Sequence, residues 1–166
     1  MTMGMGINPL SDLLGAEEFE TLLAREGLRR SRTAEPLTVA VLDVDGLRRI
    51  NARQGAATGG EVLRLCADAL RETLRAVDEI ARTGPDEFSV LLHATDAKSA
   101  SRWADRFEDA FERAGEEQLG APLTCSLGLA DTGEEPTVMQ VAATARRRME
   151  VIQTVRKLRR AREGGS

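Results

Sequence analysis

The chain has 166 residues, of which 42% are hydrophobic and 30% charged, and its 27 acidic and 23 basic side chains leave a net charge of −4. That length suits one domain closing its own core, and the acidic balance makes nucleic acid an unexpected partner. No apolar run approaches the roughly 20 residues of a membrane span, and residues 1–7 lack the basic start of a secretory leader, so a cytoplasmic protein with no membrane partner is expected.

From Asn8-Pro9-Leu10-Ser11 the chain enters a predicted helix at about 16–31, marked by Phe19, Leu22 and Leu23. The run Leu37 to Leu42, following Pro36, is apolar apart from Thr38, as in a strand buried on both faces, with Asp43 as the first residue beyond it. Asp43-Val44-Asp45-Gly46 leads into a short helix ending near Gly55, and Thr58-Gly59-Gly60-Glu61 opens a longer one whose inner face is expected to carry Val62, Cys66, Leu70, Thr73 and Val77. Two short strands, 79–82 and 88–92, flank a turn containing Gly84 and Pro85, which predicts a β-hairpin with Asp86 and Glu87 at its tip. An amphipathic helix through Trp103, Phe107 and Phe111, a strand at 123–130, and a closing helix through Val138, Val141, Ala145, Met149 and Ile152 complete the order α, β, α, α, β, β, α, β, α. The fold class is therefore α/β, a sheet flanked by helices around a ferredoxin-like core. One domain is expected over 8–160, between a flexible N-terminus at 1–7 and a flexible tail at 161–166.

His93 is the single histidine, which disfavours zinc chemistry and His-dependent nucleophiles. Cys66 and Cys125 have no metal-ligand spacing and are expected to be buried thiols. Any chemistry must run on carboxylates. Asp43 and Asp45 meet Asp86 and Glu87 if the hairpin lies beside the first strand, and facing carboxylates repel unless a cation sits between them. An oxygen-only set suits Mg²⁺ or Mn²⁺ serving nucleotide phosphates; solvated loop acids are the alternative. The basic run Arg146-Arg147-Arg148 and Arg156 to Arg162 is expected to be a solvated helix face.

Five landmarks together resemble the GGDEF diguanylate cyclase family: residues 8–14, Leu42-Asp43-Val44-Asp45-Gly46-Leu47-Arg48-Arg49-Ile50-Asn51, Arg75-Ala76-Val77-Asp78, Ala81-Arg82-Thr83-Gly84-Pro85-Asp86-Glu87-Phe88, and Ser126-Leu127-Gly128-Leu129-Ala130. The resemblance runs from residue 8 to about 155 and implies a nucleotidyl-cyclase palm-like fold with a mostly antiparallel central sheet. It also implies two domains, each holding one GTP, meeting as a homodimer to form cyclic di-GMP with Mg²⁺ or Mn²⁺. On that resemblance Asp43, the Val44 carbonyl, Asp86 and Glu87 are the metal ligands, Asp86 and Glu87 are the catalytic acids, and Asn51 reads guanine.

Three positions depart from the family pattern. The acid that partners Asn51 falls at Gly60, the phosphate-binding lysine of the last helix falls near Glu150 or Val151 so that Arg147 or Arg148 must substitute, and the second signature glycine is Pro85. Proline fixes φ, adds a ring and removes a donor from a loop that should cradle the nucleotide, although it suits the turn itself. Arg75 and Asp78 resemble the family's inhibitory site for cyclic di-GMP; by spacing alone they would be a surface ion pair. The expectation is a degenerate GGDEF domain that binds cyclic di-GMP through Arg75 and Asp78 with impaired or absent turnover, partnered by itself or by another signalling protein. An active diguanylate cyclase and a nucleotide-free dimerisation or docking scaffold are the alternatives.

Overall fold

The computed structural model describes residues 10, 12–30 and 32–164. Its elements are α1 (Ala16–Arg30), β1 (Leu37–Val44), α2 (Leu47–Gln54), α3 (Ala56–Thr73), β2 (Glu79–Arg82), β3 (Glu87–His93), α4 (Ala97–Leu119), β4 (Cys125–Asp131) and α5 (Val138–Glu163). The order matches that expected from the sequence. Asn8, Pro9, Ser11 and residues 1–7 lie outside the described residues, as do 165 and 166. No described helix is long and apolar enough to cross a membrane.

The four strands form one sheet in the order β2-β3-β1-β4, with every neighbouring pair antiparallel. Leu14 adds a single parallel bridge to Ala81 at the outer side of β2. Successive strand residues point to opposite faces, and here both faces are covered. Ala40, Leu42, Val44, Phe88, Val90 and Leu92 join the side chains of α2, α3 and α4 in one core layer. Leu37, Val39, Val41 and Leu91 join α1 and α5 in the other. That double burial is why Leu37 to Leu42 reads as an apolar run interrupted only by the buried Thr38, although its neighbours are antiparallel.

Local chemistry sets the helix ends. Asp96 caps α4 by accepting from the Ser99 N–H at 2.8 Å, and α4 stops at Gly120 in the left-handed region, φ 74°. Thr137 caps α5. Along α4, Trp103, Phe107 and Phe111 stack one turn apart, and Trp103 Nε1 donates to Thr73 Oγ1 at 3.1 Å, tying α4 to the end of α3. Where β4 crosses α5, a Cβ on Gly128 would collide with the Ala145 carbonyl and the Met149 N–H, so the glycine permits the helix to lie directly on the strand.

Five expectations need correction. Asp43 lies inside β1 because the strand continues to Val44 with Asp43 paired to both Glu87 and Ser126. Glu87 is accordingly the first residue of β3, and the hairpin tip is residues 83–86. Val77 does not share the α3 face: the helix ends at Thr73 and Val77 is 60% exposed in the following turn. The last strand begins at Cys125, two residues later than expected, and α5 continues to Glu163, past the point where a tail was expected.

Candidate functional site

The β1–β3 ladder places Asp43 directly opposite Glu87, while the Val44 N–H donates to the Asp86 carbonyl at 3.1 Å. Three acids thus meet at one end of the sheet. Asp43 Oδ1 is buried without a hydrogen-bond partner. Its carboxyl is pushed up to about 6, first by burial and then by the Asp86 charge, against a hydrogen bond from Gln153; Glu87 raises it further and Lys157 opposes. Glu87 is already engaged, accepting from Thr83 Oγ1 and from Arg146 Nη2 at 2.8 Å. Among the described residues no group of three or more His, Cys, Asp or Glu side chains is gathered as a metal cage. The orphaned oxygen and the oxygen-only donors are of the chemistry that suits a hard cation.

Asp45 does not join these acids. Its carboxylate, 4% exposed, accepts from Thr124 Oγ1 (2.8 Å), Ser126 Oγ (2.7 Å) and Arg156 Nη1 (2.7 Å), with Arg160 at 3.9 Å. It is a fully neutralised latch between β1, β4 and α5. The sequence motif alone groups it with Asp43, whereas the side-chain partners separate the two.

Beside the hairpin lies a cavity of about 380 Å³ lined by Arg48, Asn51, Gly59, Gly60, Arg82, Pro85 and Asp86, among others. Asn51 packs its amide against Gly59, where any Cβ would overlap it, while Gly60 faces open space. The hairpin tip is braced by Arg82, whose Nη2 donates to the Pro85 carbonyl at 2.7 Å, and by Thr83 and Gly84 N–H groups donating to the Glu87 carbonyl. None of the residues at the tip adopts a left-handed conformation, so Pro85 is accommodated without backbone strain. Sequence reasoning passed over Arg48 and Arg82 as wall residues, although each lies inside a quoted motif.

Arg75 and Asp78 form a second site, at the far end of α3. Asp78, only 2% exposed in its side chain, accepts from the Arg75 N–H (3.0 Å), Arg75 Nε (3.2 Å), Arg75 Nη2 (3.1 Å) and the His93 N–H (3.1 Å). Arg75 remains 54% exposed and also donates to Thr95 Oγ1 at 3.0 Å and to the His93 carbonyl. The pair opens on a cavity of about 340 Å³ whose other wall carries Arg102 and Arg106 of α4. Three guanidinium groups therefore converge there; the two from α4 are separated in sequence by one helical turn and carry no motif of their own.

On α5, Arg147 donates to Thr144 at 2.8 Å, and Arg148 donates to the Leu129 carbonyl (2.7 Å) and to Glu134 (2.9 and 3.1 Å). Both also line a groove between α4 and α5 rather than the hairpin cavity. Gln153 and Lys157 are the α5 residues that act on Asp43.

A palm-like antiparallel sheet carrying facing acids beside a hairpin cavity defines a nucleotidyl-cyclase type of domain. The family described as "Diguanylate cyclase, GGDEF domain" matches residues 7–157, and the chain belongs to it. Diguanylate cyclase DgcP of Pseudomonas aeruginosa is 38% identical over 124 residues, covering 74% of this chain and 18% of DgcP. The chain thus spans about a fifth of the length of that relative. Among solved structures, diguanylate cyclase SiaD of Pseudomonas aeruginosa in complex with its activator SiaC is 27% identical, TM-score 0.78, over 89% of this chain and 57% of SiaD. A microbial GGDEF domain solved for its interaction with bis-(3′,5′)-cyclic di-GMP is 26% identical, TM-score 0.76, over 89% of this chain and 92% of that domain. Diguanylate cyclases of this family generally work with Mg²⁺ or Mn²⁺.

Proposed function

We propose that this GGDEF domain is a cyclic di-GMP receptor acting through Arg75, with impaired or absent cyclase turnover. The observation that carries the proposal is the cavity in which Arg75 faces Arg102 and Arg106. Guanidinium forks donate in pairs to phosphate oxygens and to the guanine Hoogsteen edge, and three of them around one cavity suit a dianionic cyclic dinucleotide. Asp78 is buried and holds Arg75 by backbone and side chain, which makes it a positioning residue; it reaches a guanine N–H only after Arg75 swings outward. The likeness to a domain studied with cyclic di-GMP supports the same ligand.

Turnover is weakened at three points. Gly60 leaves Asn51 without an acidic partner in the hairpin cavity, Pro85 removes a backbone donor at its tip, and Arg146 holds Glu87 away from catalytic duty. Calorimetric titration with cyclic di-GMP is expected to show binding that Arg75→Ala abolishes. Unchanged affinity in that variant overturns the proposal.

One observation favours the second reading, an active diguanylate cyclase: the buried, unpartnered Asp43 Oδ1 beside Asp86. In that reading Asp43, the Val44 carbonyl, Asp86 and a released Glu87 hold Mg²⁺ or Mn²⁺, which would neutralise phosphate charge. Asn51 reads guanine, and Lys157 takes the phosphate contact assigned from the sequence to Arg147 or Arg148. Incubation with GTP and either metal, followed by mass detection of cyclic di-GMP, separates the two; measurable product establishes the enzyme. Melting temperatures unmoved by both GTP and cyclic di-GMP would leave only a docking scaffold.

A further inference from the structure

β4 is the last strand of the sheet, so one of its edges has no neighbouring strand among the described residues. The Asp45 N–H donates to the Thr124 carbonyl and the Thr132 N–H to the Leu37 carbonyl. In this register the even residues of β4 therefore bond to β1, and Cys125, Leu127 and Leu129 turn their backbone groups outward. Two of the outward carbonyls are capped by side chains: Arg156 donates to Cys125 and Arg148 to Leu129. Between them stand the N–H and C=O of Leu127, with the Leu129 N–H beside them.

This stretch of edge is the floor of a groove of about 700 Å³, walled by α4 through Ala104 and by α5 through Val151 and Ile152. The apolar wall runs on along α5, where Val151, Val155 and Leu158 are 63%, 44% and 61% exposed at helical spacing. Opposite charges line the two sides, Asp105 and Glu108 on α4 against Arg147 and Arg148 on α5.

We infer that the β4 edge is a docking site for an extended segment of a partner protein, which adds as a fifth strand centred on Leu127. The backbone groups at the floor select the occupant's conformation. A strand offers a donor and an acceptor at alternate residues, whereas a helix has spent its own backbone groups internally. The edge is recessed between two helices, so the β4 edge of a second folded copy, flanked by its own α4 and α5, cannot reach it. The wall charges select composition: alternate apolar side chains, with a basic residue toward α4 and an acidic one toward α5.

The probe is a capped synthetic peptide, Val-Lys-Val-Thr-Val-Thr-Glu, whose odd side chains (the valines and Glu) face α5 while its even ones (Lys and the threonines) face α4; it is titrated into ¹⁵N-labelled protein and followed by amide shifts and amide exchange. Saturable shifts with slowed exchange at Leu127 and Leu129 are expected. Leu129→Pro removes one outward donor without touching the β1 ladder, and Val151→Asp charges an exposed wall position; each should weaken binding about tenfold or more. Should Leu129→Pro fail to fold, the Val151→Asp titration decides alone. The inference is overturned if the peptide leaves both amides unprotected at about millimolar concentration, where even weak docking registers. It is equally overturned if those amides are already protected without peptide, with sedimentation giving a dimer mass when a second copy is responsible or a monomer mass when the chain's own residues cover the edge.

Discussion

Replacing Asp43 by asparagine should make the metal-free protein more stable at alkaline pH. The carboxyl is raised from 3.8 to about 6, burial being the largest cause and the Asp86 charge the next. A group whose folded pKa lies above its unfolded value contributes stability below the unfolded pKa, and that contribution is lost as pH rises through the folded one. The wild type therefore loses stability between about pH 4 and pH 7, and the full penalty is present at pH 8. A shift from 3.8 to about 6, at 1.36 kcal/mol per unit, sets that penalty at up to about 3 kcal/mol. Asparagine keeps the shape and the hydrogen bond to Gln153 but carries no charge. With a urea m-value of about 2–3 kcal/mol/M, and with solvent screening of the half-buried carboxylate reducing that upper bound, the Asp43→Asn midpoint at pH 8 in EDTA should exceed that of wild type by about 0.5–1 M. At pH 4 the two curves should nearly coincide, and added Mg²⁺ should narrow the gap at pH 8 by stabilising only the wild type. A variant equally or less stable at pH 8 refutes the account of a desolvated, acid-flanked Asp43.

Gly60→Asp introduces an acceptor into open space beside Asn51. Calorimetry should show GTP binding strengthened by about 1–3 kcal/mol, and no gain counts against the hairpin cavity as the guanine pocket. Asp78→Ala strips four donors of their acceptor and should cost about 2–4 kcal/mol in urea unfolding, against roughly 1 kcal/mol or less for half-exposed Arg75→Ala. Equal losses would reduce Asp78 to a surface partner. Both cysteines are buried and free, and burial pushes their thiols well above the usual range, so a disulfide exchange reagent at pH 8 should label neither in the native state and both in urea. Rapid native labelling contradicts the packing of the α3 and β4 core.

Much of the fold was legible because local rules and tertiary burial agree along this chain. Leu37 to Leu42 is apolar at every position but Thr38 because both sheet faces are covered, and Asp96, Thr137 and Gly120 mark their helix ends by side-chain and backbone chemistry that operates within one turn. The signature residues were likewise readable, since Asp43, Asn51, Arg75, Asp78, Asp86 and Glu87 lie in short contiguous motifs. What a motif does not encode is where a side chain finds its partner. Asp45 stands two residues from Asp43, just past the end of β1, yet Thr124, Ser126 and Arg156, 79 to 111 residues away, draw it into a separate ion pair. Arg102 and Arg106 become neighbours of Arg75 only through the packing of α4 against α3, and Gln153 and Lys157 reach Asp43 only because Gly128 lets α5 lie on the sheet. The order of the strands, which leaves β4 with an open edge, is likewise a property of pairing across the whole chain. Periodicity and motif spacing thus determined the elements and their signature residues, while contacts between residues far apart in sequence decided which charges are neutralised, which face a cavity and which edge stays free.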